Sequence, residues 1–215
     1  MLSRRKISAS LGGFLKATRR LRSLDSQVQG AYLAGFGGGR GIVLQKWQAY
    51  LVAEGVFISL FTSFENFLEE VFLLYCMERP NLSGEKPTSF LKPRSYQHAA
   101  EMIKSSQPFL DWASPDTVID RCKVYLLDGM PVKNVLTTNL TMLRDLKKIR
   151  NHISHRSRES EMEYIKVLRR NFKTTPARIP GVGEFLLMDD PHNVGSYFLN
   201  SFFDFYEKIA ADITR

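Results

Sequence analysis

Cysteine is scarce in this chain. It occurs twice in 215 residues, as Cys76 and Cys122, and neither lies in a metal-type spacing. Cys76 falls within an apolar helical pattern, so two buried thiols in a reducing cytoplasm account for both. Long apolar runs are missing as well. The best stretch, "VFISLFTSF" from Val56 to Phe64, is interrupted on both sides by charged or polar residues. No run approaches bilayer-spanning length, and no membrane association is expected. The first 24 residues carry no acid but seven basic residues. They lack the continuous apolar core of a secretory signal, and their charge gives them some transit-peptide character. The glycine run Gly35–Gly41 lacks the Lys-Ser/Thr of a phosphate loop and follows no strand pattern, so it reads as a linker. No internal repeat is present.

What is there is ordinary in amount and unusual in sign. Apolar residues make up 44% and charged residues 24%, enough for a real core. The formal net charge is +8. A polyanionic partner fits that balance, with nucleic acid ahead of a membrane surface, although many soluble proteins are basic without one.

Almost every periodic segment has helical spacing. Residues 5 to 24 form a basic amphipathic helix on Ile7, Leu11, Phe14 and Leu21. A long helix runs from about Val43 to Met77, with a kink expected at Gly55. Its stripe of Phe57, Leu60, Phe61, Phe64, Phe67, Leu68, Val71, Phe72 and Tyr75 defines one aromatic core face. The loop Arg79–Ser95 carries three prolines. A short helix over Tyr96–Lys104 follows. Ser114-Pro115-Asp116 has the chemistry of a helix start, and that helix extends to Leu127 before Gly129. Another helix starts near Asn139. Ser160 and Glu163 suit a capping box for the next, with a stripe of Met162, Ile165, Leu168 and Phe172. Thr174–Pro191 reads as an irregular Pro/Gly-rich insert, with "EFLLM" as the lone strand candidate. Asp190-Pro191 then opens a last helix on Val194, Phe198, Phe202, Phe205, Ile209 and Ile213. The class is all-α, an antiparallel helical bundle. The division is a basic N-terminal helix and linker over 1–41, then a helical domain over 42–215.

The chemistry concentrates in "LKKIRNHISHRSRES", Leu146 to Ser160. On a helical wheel, Met142, Leu143, Leu146, Ile149 and Ile153 fall within about 120°, and Arg150 falls inside that arc. Arginine is almost never buried unpaired. The Arg150 face is therefore expected at a carboxylate, a phosphate or an interface, unless the side chain snorkels from the stripe's edge. His155 points about 140° from Arg150 on an unbroken helix. The two meet if the helix loosens near Ser154, or if a second copy of the chain brings its own pair across a two-fold axis. A histidine that titrates near neutrality and an arginine fork suit RNA cleavage by the substrate's own 2′-hydroxyl, without metal or cofactor. Lys147, Lys148, Arg156 and Arg158 surround them as candidate phosphate contacts. Other readings compete. His152 and His155, three apart, could bind a metal. A Cys-His nucleophile pair would need Cys76 or Cys122. A solvated basic helix end would do nothing.

"RNHISH" resembles the Arg-x4-His signature of the HEPN superfamily, in the form with Asn directly after Arg. "SFENFLEEVFLLY", Ser63 to Tyr75, is similar to the long helix preceding it in RiboL-PSP-type members. The resemblance spans roughly residues 45 to 173. It implies a bundle of four or five helices that dimerises with both motifs facing the two-fold axis. It also implies metal-independent ribonuclease activity, often in toxin–antitoxin or phage-defence systems, with an antitoxin or regulatory protein as partner. Arg150 would stabilise phosphoryl charge, Asn151 would position the pair and His155 would be the general acid/base. An acidic residue on the earlier helix corresponds to Glu65, with Asp145 the runner-up. The basic N-terminal helix and the Pro/Gly insert depart from the minimal domain. Some members are not nucleases, so a non-catalytic module binding nucleotide, RNA or a protein is the alternative.

Overall fold

The computed structural model describes residues 5–34, 44–104 and 110–215. The Gly35–Gly41 linker and the boundary at residue 41 lie outside them. Among the described residues there are nine α-helices and no strand, which is the all-α class expected. They are α1 Ile7–Ala34, α2 Lys46–Cys76, α3 Tyr96–Lys104, α4 Pro115–Tyr125, α5 Val132–Thr138, α6 Leu140–His155, α7 Arg158–Phe172, α8 Val182–Leu186 and α9 Phe198–Thr214.

The chain divides into two compact units. One comprises Met1–Lys16, Ser63–Arg144 and Tyr206–Arg215; the other comprises Ala17–Thr62 and Asp145–Phe205. The first is organised on the second half of α2. Phe14 of α1 packs on Phe67 with ring centroids 5.2 Å apart, and Phe64 packs on Tyr206 of α9 at 4.6 Å. Tyr75 donates its hydroxyl to the Ile213 carbonyl at 2.8 Å. Each fully buried ring or leucine contributes roughly 1.5–3 kcal/mol. Both thiols are free and buried in this unit, and desolvation pushes each up to about 12.

The second unit is organised on Phe185 of α8. Its ring stacks on Phe198 at 4.3 Å and meets Tyr164, Phe172 and Phe202. The short run expected as a strand is therefore helical up to Leu186, and it brings Val182, Phe185 and Leu186 of the insert into the core. The fit requires glycine at 183: a Cβ there would lie 2.3 Å from the Tyr50 carbonyl oxygen of α2. The Gly183 N–H instead reaches Glu54 Oε1 at 3.0 Å.

Several expectations shift. α2 is helical through Gly55 without interruption, and its whole aromatic stripe is buried. By length and overall composition it also suffices to cross a bilayer, although it holds no unbroken apolar run of that length; here its apolar face forms core. The α4 start is where expected, but the Ser114 side chain makes no cap; its backbone N–H donates to Asp111 Oδ1. α5 was not anticipated. α7 starts earlier, because Ser157, not Ser160, caps it by accepting from the Ser160 N–H at 3.2 Å. Its buried face is Tyr164, Val167 and Leu168, while Met162 is 57% exposed. The last helix begins at Phe198; Val194 is 97% exposed in the turn before it.

Candidate active site

α6 carries the motif in the second unit from Asp145 onward. Leu146 and Ile149 are fully buried, as the wheel requires, while Ile153 is only half-buried. The helix runs without a break to His155. Arg156 then takes a left-handed conformation, φ 47°, and its N–H closes the last turn on the His152 carbonyl at 3.0 Å. Such a conformation costs a non-glycine residue about 1–2 kcal/mol. Ser157 starts α7 at once, so the corner between the two helices is tight.

Arg150 is half-buried. Its guanidinium carbon sits 5.7 Å from the centroid of the Phe61 ring of α2. Its Nη1 donates to Asn151 Oδ1 at 3.2 Å. Among the described residues no carboxylate pairs with it. The arginine thus lies along an aromatic face as a cation–π contact, with its charge uncompensated. Asn151 is half-buried beside it, and His155 is exposed on the last turn. No hydrogen bond joins Arg150 and His155 among the described residues. With the helix intact, the loosening near Ser154 does not occur, and the two side chains leave the axis about 140° apart.

His152 belongs to a different environment. Its ring stacks on Tyr164 at 5.1 Å and 17°, and its Nδ1 lies 3.0 Å from Ser160 Oγ. Ser160 donates its own hydroxyl to the Ser157 carbonyl at 2.8 Å, which assigns the histidine proton to Nδ1. Desolvation holds this histidine below its ordinary pKa, and the neighbouring Arg156 charge adds to that, against the pull of Glu161 and Glu54. His152 and His155 are therefore not presented as a chelating pair. Among the described residues no three His, Cys, Asp or Glu side chains come together as a metal-ligating group.

Asp145 is buried and paired with Arg170 of α7; Lys148 Nζ lies 4.0 Å from its other oxygen. Burial pushes the Asp145 carboxyl up, against the pull of Arg170 and Lys148. Lys148 also bridges to Glu163 at 3.0 Å. Lys147 is half-buried, Arg158 is exposed at the first turn of α7, and Arg156 reaches Glu54 Oε2 at 3.3 Å. Glu65 lies half-buried in the first unit, where its charge raises the Tyr206 hydroxyl pKa further after desolvation.

Glu54 was not named from the sequence. It bridges Arg156 and the Gly183 N–H, two turns from Phe61 on the same face of α2. Phe61 meets Arg150 and Glu54 meets Arg156, so α2 and the end of α6 run antiparallel here. The missing signal was the partner, 102 residues away in sequence. The seven-residue spacing of Glu54 and Phe61 alone was available.

No protein-family model, curated protein or solved structure matches this chain.

Proposed function

We propose that this protein is a metal-independent endoribonuclease of HEPN type, an antiparallel helical bundle acting in the cytoplasm as a homodimer. One observation carries the reading: Arg150 is held over Phe61 and tied to Asn151, yet no carboxylate among the described residues neutralises it. A guanidinium so placed keeps most of its donor fork for a phosphate.

The reaction needs no cofactor. A base removes the proton of an RNA 2′-hydroxyl, O2′ attacks the adjacent phosphorus and the P–O5′ bond breaks. The departing O5′ takes a proton. His155, exposed on the last turn, is the general acid/base; Arg150 stabilises the charge on the phosphoryl oxygens, and Asn151 fixes the arginine. Because Arg150 and His155 diverge on one helix, the working pair combines residues of two copies across a two-fold axis. Arg158, with no carboxylate partner among the described residues, holds a flanking phosphate. A toxin or phage-defence role, with an antitoxin or regulator as partner, is what the resemblance adds.

The test is incubation with mixed single-stranded and structured RNA, with and without EDTA. The 5′ fragments should end in a 2′,3′-cyclic phosphate, DNA should stay intact and EDTA should leave the rate unchanged. Light scattering should find a dimer at micromolar concentration. Intact RNA across varied substrates sinks the nuclease reading. The alternative, a non-catalytic module binding nucleotide, RNA or a protein, then takes its place; the lack of any Arg150–His155 contact within one chain is what favours it.

A further inference from the structure

The first unit holds a cavity of about 590 Å³, away from every motif residue in sequence. Four cationic residues line it: Arg5, Lys6, Arg79 and Lys86. Glu78, the acidic residue among those lining it, is already engaged, by Lys92 Nζ at 2.9 Å and the Ser89 N–H at 3.3 Å. Arg5 is partly matched by Glu70 at 3.7 Å. Lys6, Arg79 and Lys86 make no ion pair with a carboxylate among the described residues, although the Lys86 charge helps Lys92 to hold the Glu78 carboxyl down. Arg79 Nε is buried without a hydrogen-bond acceptor among the described residues, an unfavourable arrangement unless something fills it.

The wall is built to hold its shape. Glu78 takes a left-handed φ of 54°, which lets the Arg79 N–H close the end of α2 on the Leu74 carbonyl at 3.0 Å. The Leu82 N–H reaches the Thr214 carbonyl at 2.8 Å. Asn81 Oδ1 accepts from the Glu85 N–H at 2.8 Å. Arg79 is therefore fixed at its backbone on both sides. Lys6, Ile7 and Ser8, where α1 begins, form another part of the wall, and the first turn of α1 holds no acid. Basic residues at the positive end of a helix oppose its dipole, and an anion in the cavity reverses that penalty.

We propose that this cavity binds a small phosphorylated compound, its phosphate gripped by Lys6, Arg79 and Lys86. The volume lies in the range of small-molecule pockets and exceeds what bare phosphate needs, so the ligand carries an organic part. Ile7, Pro80 and Leu82 give that part an apolar wall. No aromatic ring is among the described lining residues, so the grip they offer is on the phosphate and not by base stacking.

Calorimetry of the full chain at constant ionic strength tests this, with pyrophosphate, ribose 5-phosphate and ribose as probes. Saturable binding of a phosphorylated probe, with none for ribose, is expected. Lys6→Glu combined with Lys86→Glu should weaken it at least tenfold. Both lysines are exposed, so circular dichroism of the double variant should match wild type. His155→Ala should bind like wild type, which separates this site from the ribonuclease reading. The proposal is overturned if neither phosphorylated probe saturates at millimolar concentration, if the double variant binds unchanged, or if His155→Ala abolishes binding.

Discussion

Two stretches of the same region, residues 145–148 and residues 150–158, are both rich in cations and differ in electrostatics. In the first, every charge whose contacts are described above has a partner. Asp145 meets Arg170, and Lys148 meets Glu163 and Asp145. In the second, Arg156 meets Glu54, but Arg150 has only an aromatic ring and an amide, Arg158 has no carboxylate among the described residues, and His155 is exposed. A positive net charge says nothing about which cations are available to a ligand. Pairing across helices decides that, and it separates a structural network from a surface that can receive phosphate.

The sharpest way to break this contrast is to remove one residue from each stretch. His155→Ala should lower the RNA cleavage rate by about 10²–10⁴-fold, the range for a lost general acid/base. Arg150→Ala should lose about 10²–10³-fold through charge stabilisation, and the dimer should weaken with it. Lys148→Ala should leave the rate close to wild type. If Lys148→Ala proves as damaging as Arg150→Ala, the division between the stretches is wrong.

Stability should respond in the opposite way. Asp145→Ala strands Arg170, leaves Lys148 only Glu163 and opens a buried polar position, so the loss of stability to denaturant should be about 1–3 kcal/mol. His155→Ala touches an exposed side chain and should cost within about 0.5 kcal/mol. An Asp145→Ala protein of full stability but no activity would instead give Asp145 the role of the acidic residue that the resemblance to HEPN domains implies.

Where periodicity and burial agreed, the fold was legible in sequence. The α2 stripe and the Leu146–Ile149 face follow from apolar spacing alone, and the Tyr96–Lys104 helix has the expected limits. Legibility failed where a side chain has two natures. Tyr164 is buried through its ring while its hydroxyl finds the Pro180 carbonyl, so the α7 face was placed around Met162 instead. Ser157 and Ser160 both look like caps, and only three-dimensional hydrogen bonding selects Ser157. Gly183 looks like a loop residue until Tyr50 is brought against it. At the candidate site the residue types of Arg150, Asn151 and His155 were readable. Their divergence on an intact helix, and the ties of Glu54 and His152, depend on partners distant in sequence.

A smaller effect separates the cations themselves. RNA binding should weaken with salt, and Arg158→Ala should reduce the slope of log K against log salt by about 0.7, one single-strand phosphate. Lys148→Ala should leave that slope unchanged, because its charge is already matched by Glu163. Equal slopes for both variants would mean that the ion pairs open when RNA arrives.

The smallest effect concerns His152, and its sign follows from burial. Desolvation, with Arg156 adding to it, lowers the folded-state pKa below the ordinary value near 6.5, although Glu161 and Glu54 pull the other way. As pH falls, the unfolded chain therefore takes up the proton first. The stability supplied by neutral His152 is complete above the ordinary histidine value and is lost as pH falls below it towards the lowered folded value. His152→Gln keeps a donor for Ser160 and cannot titrate. Thermal melts across about pH 5 to 8 should show wild type losing stability on acidification faster than the variant, with the gap confined to the lower end. His98, His155 and His192 are present in both proteins and cancel in the difference. A gap that stays constant over the whole range would show that His152 contributes only its stacking on Tyr164, and that its proton has no part in holding the α6–α7 corner.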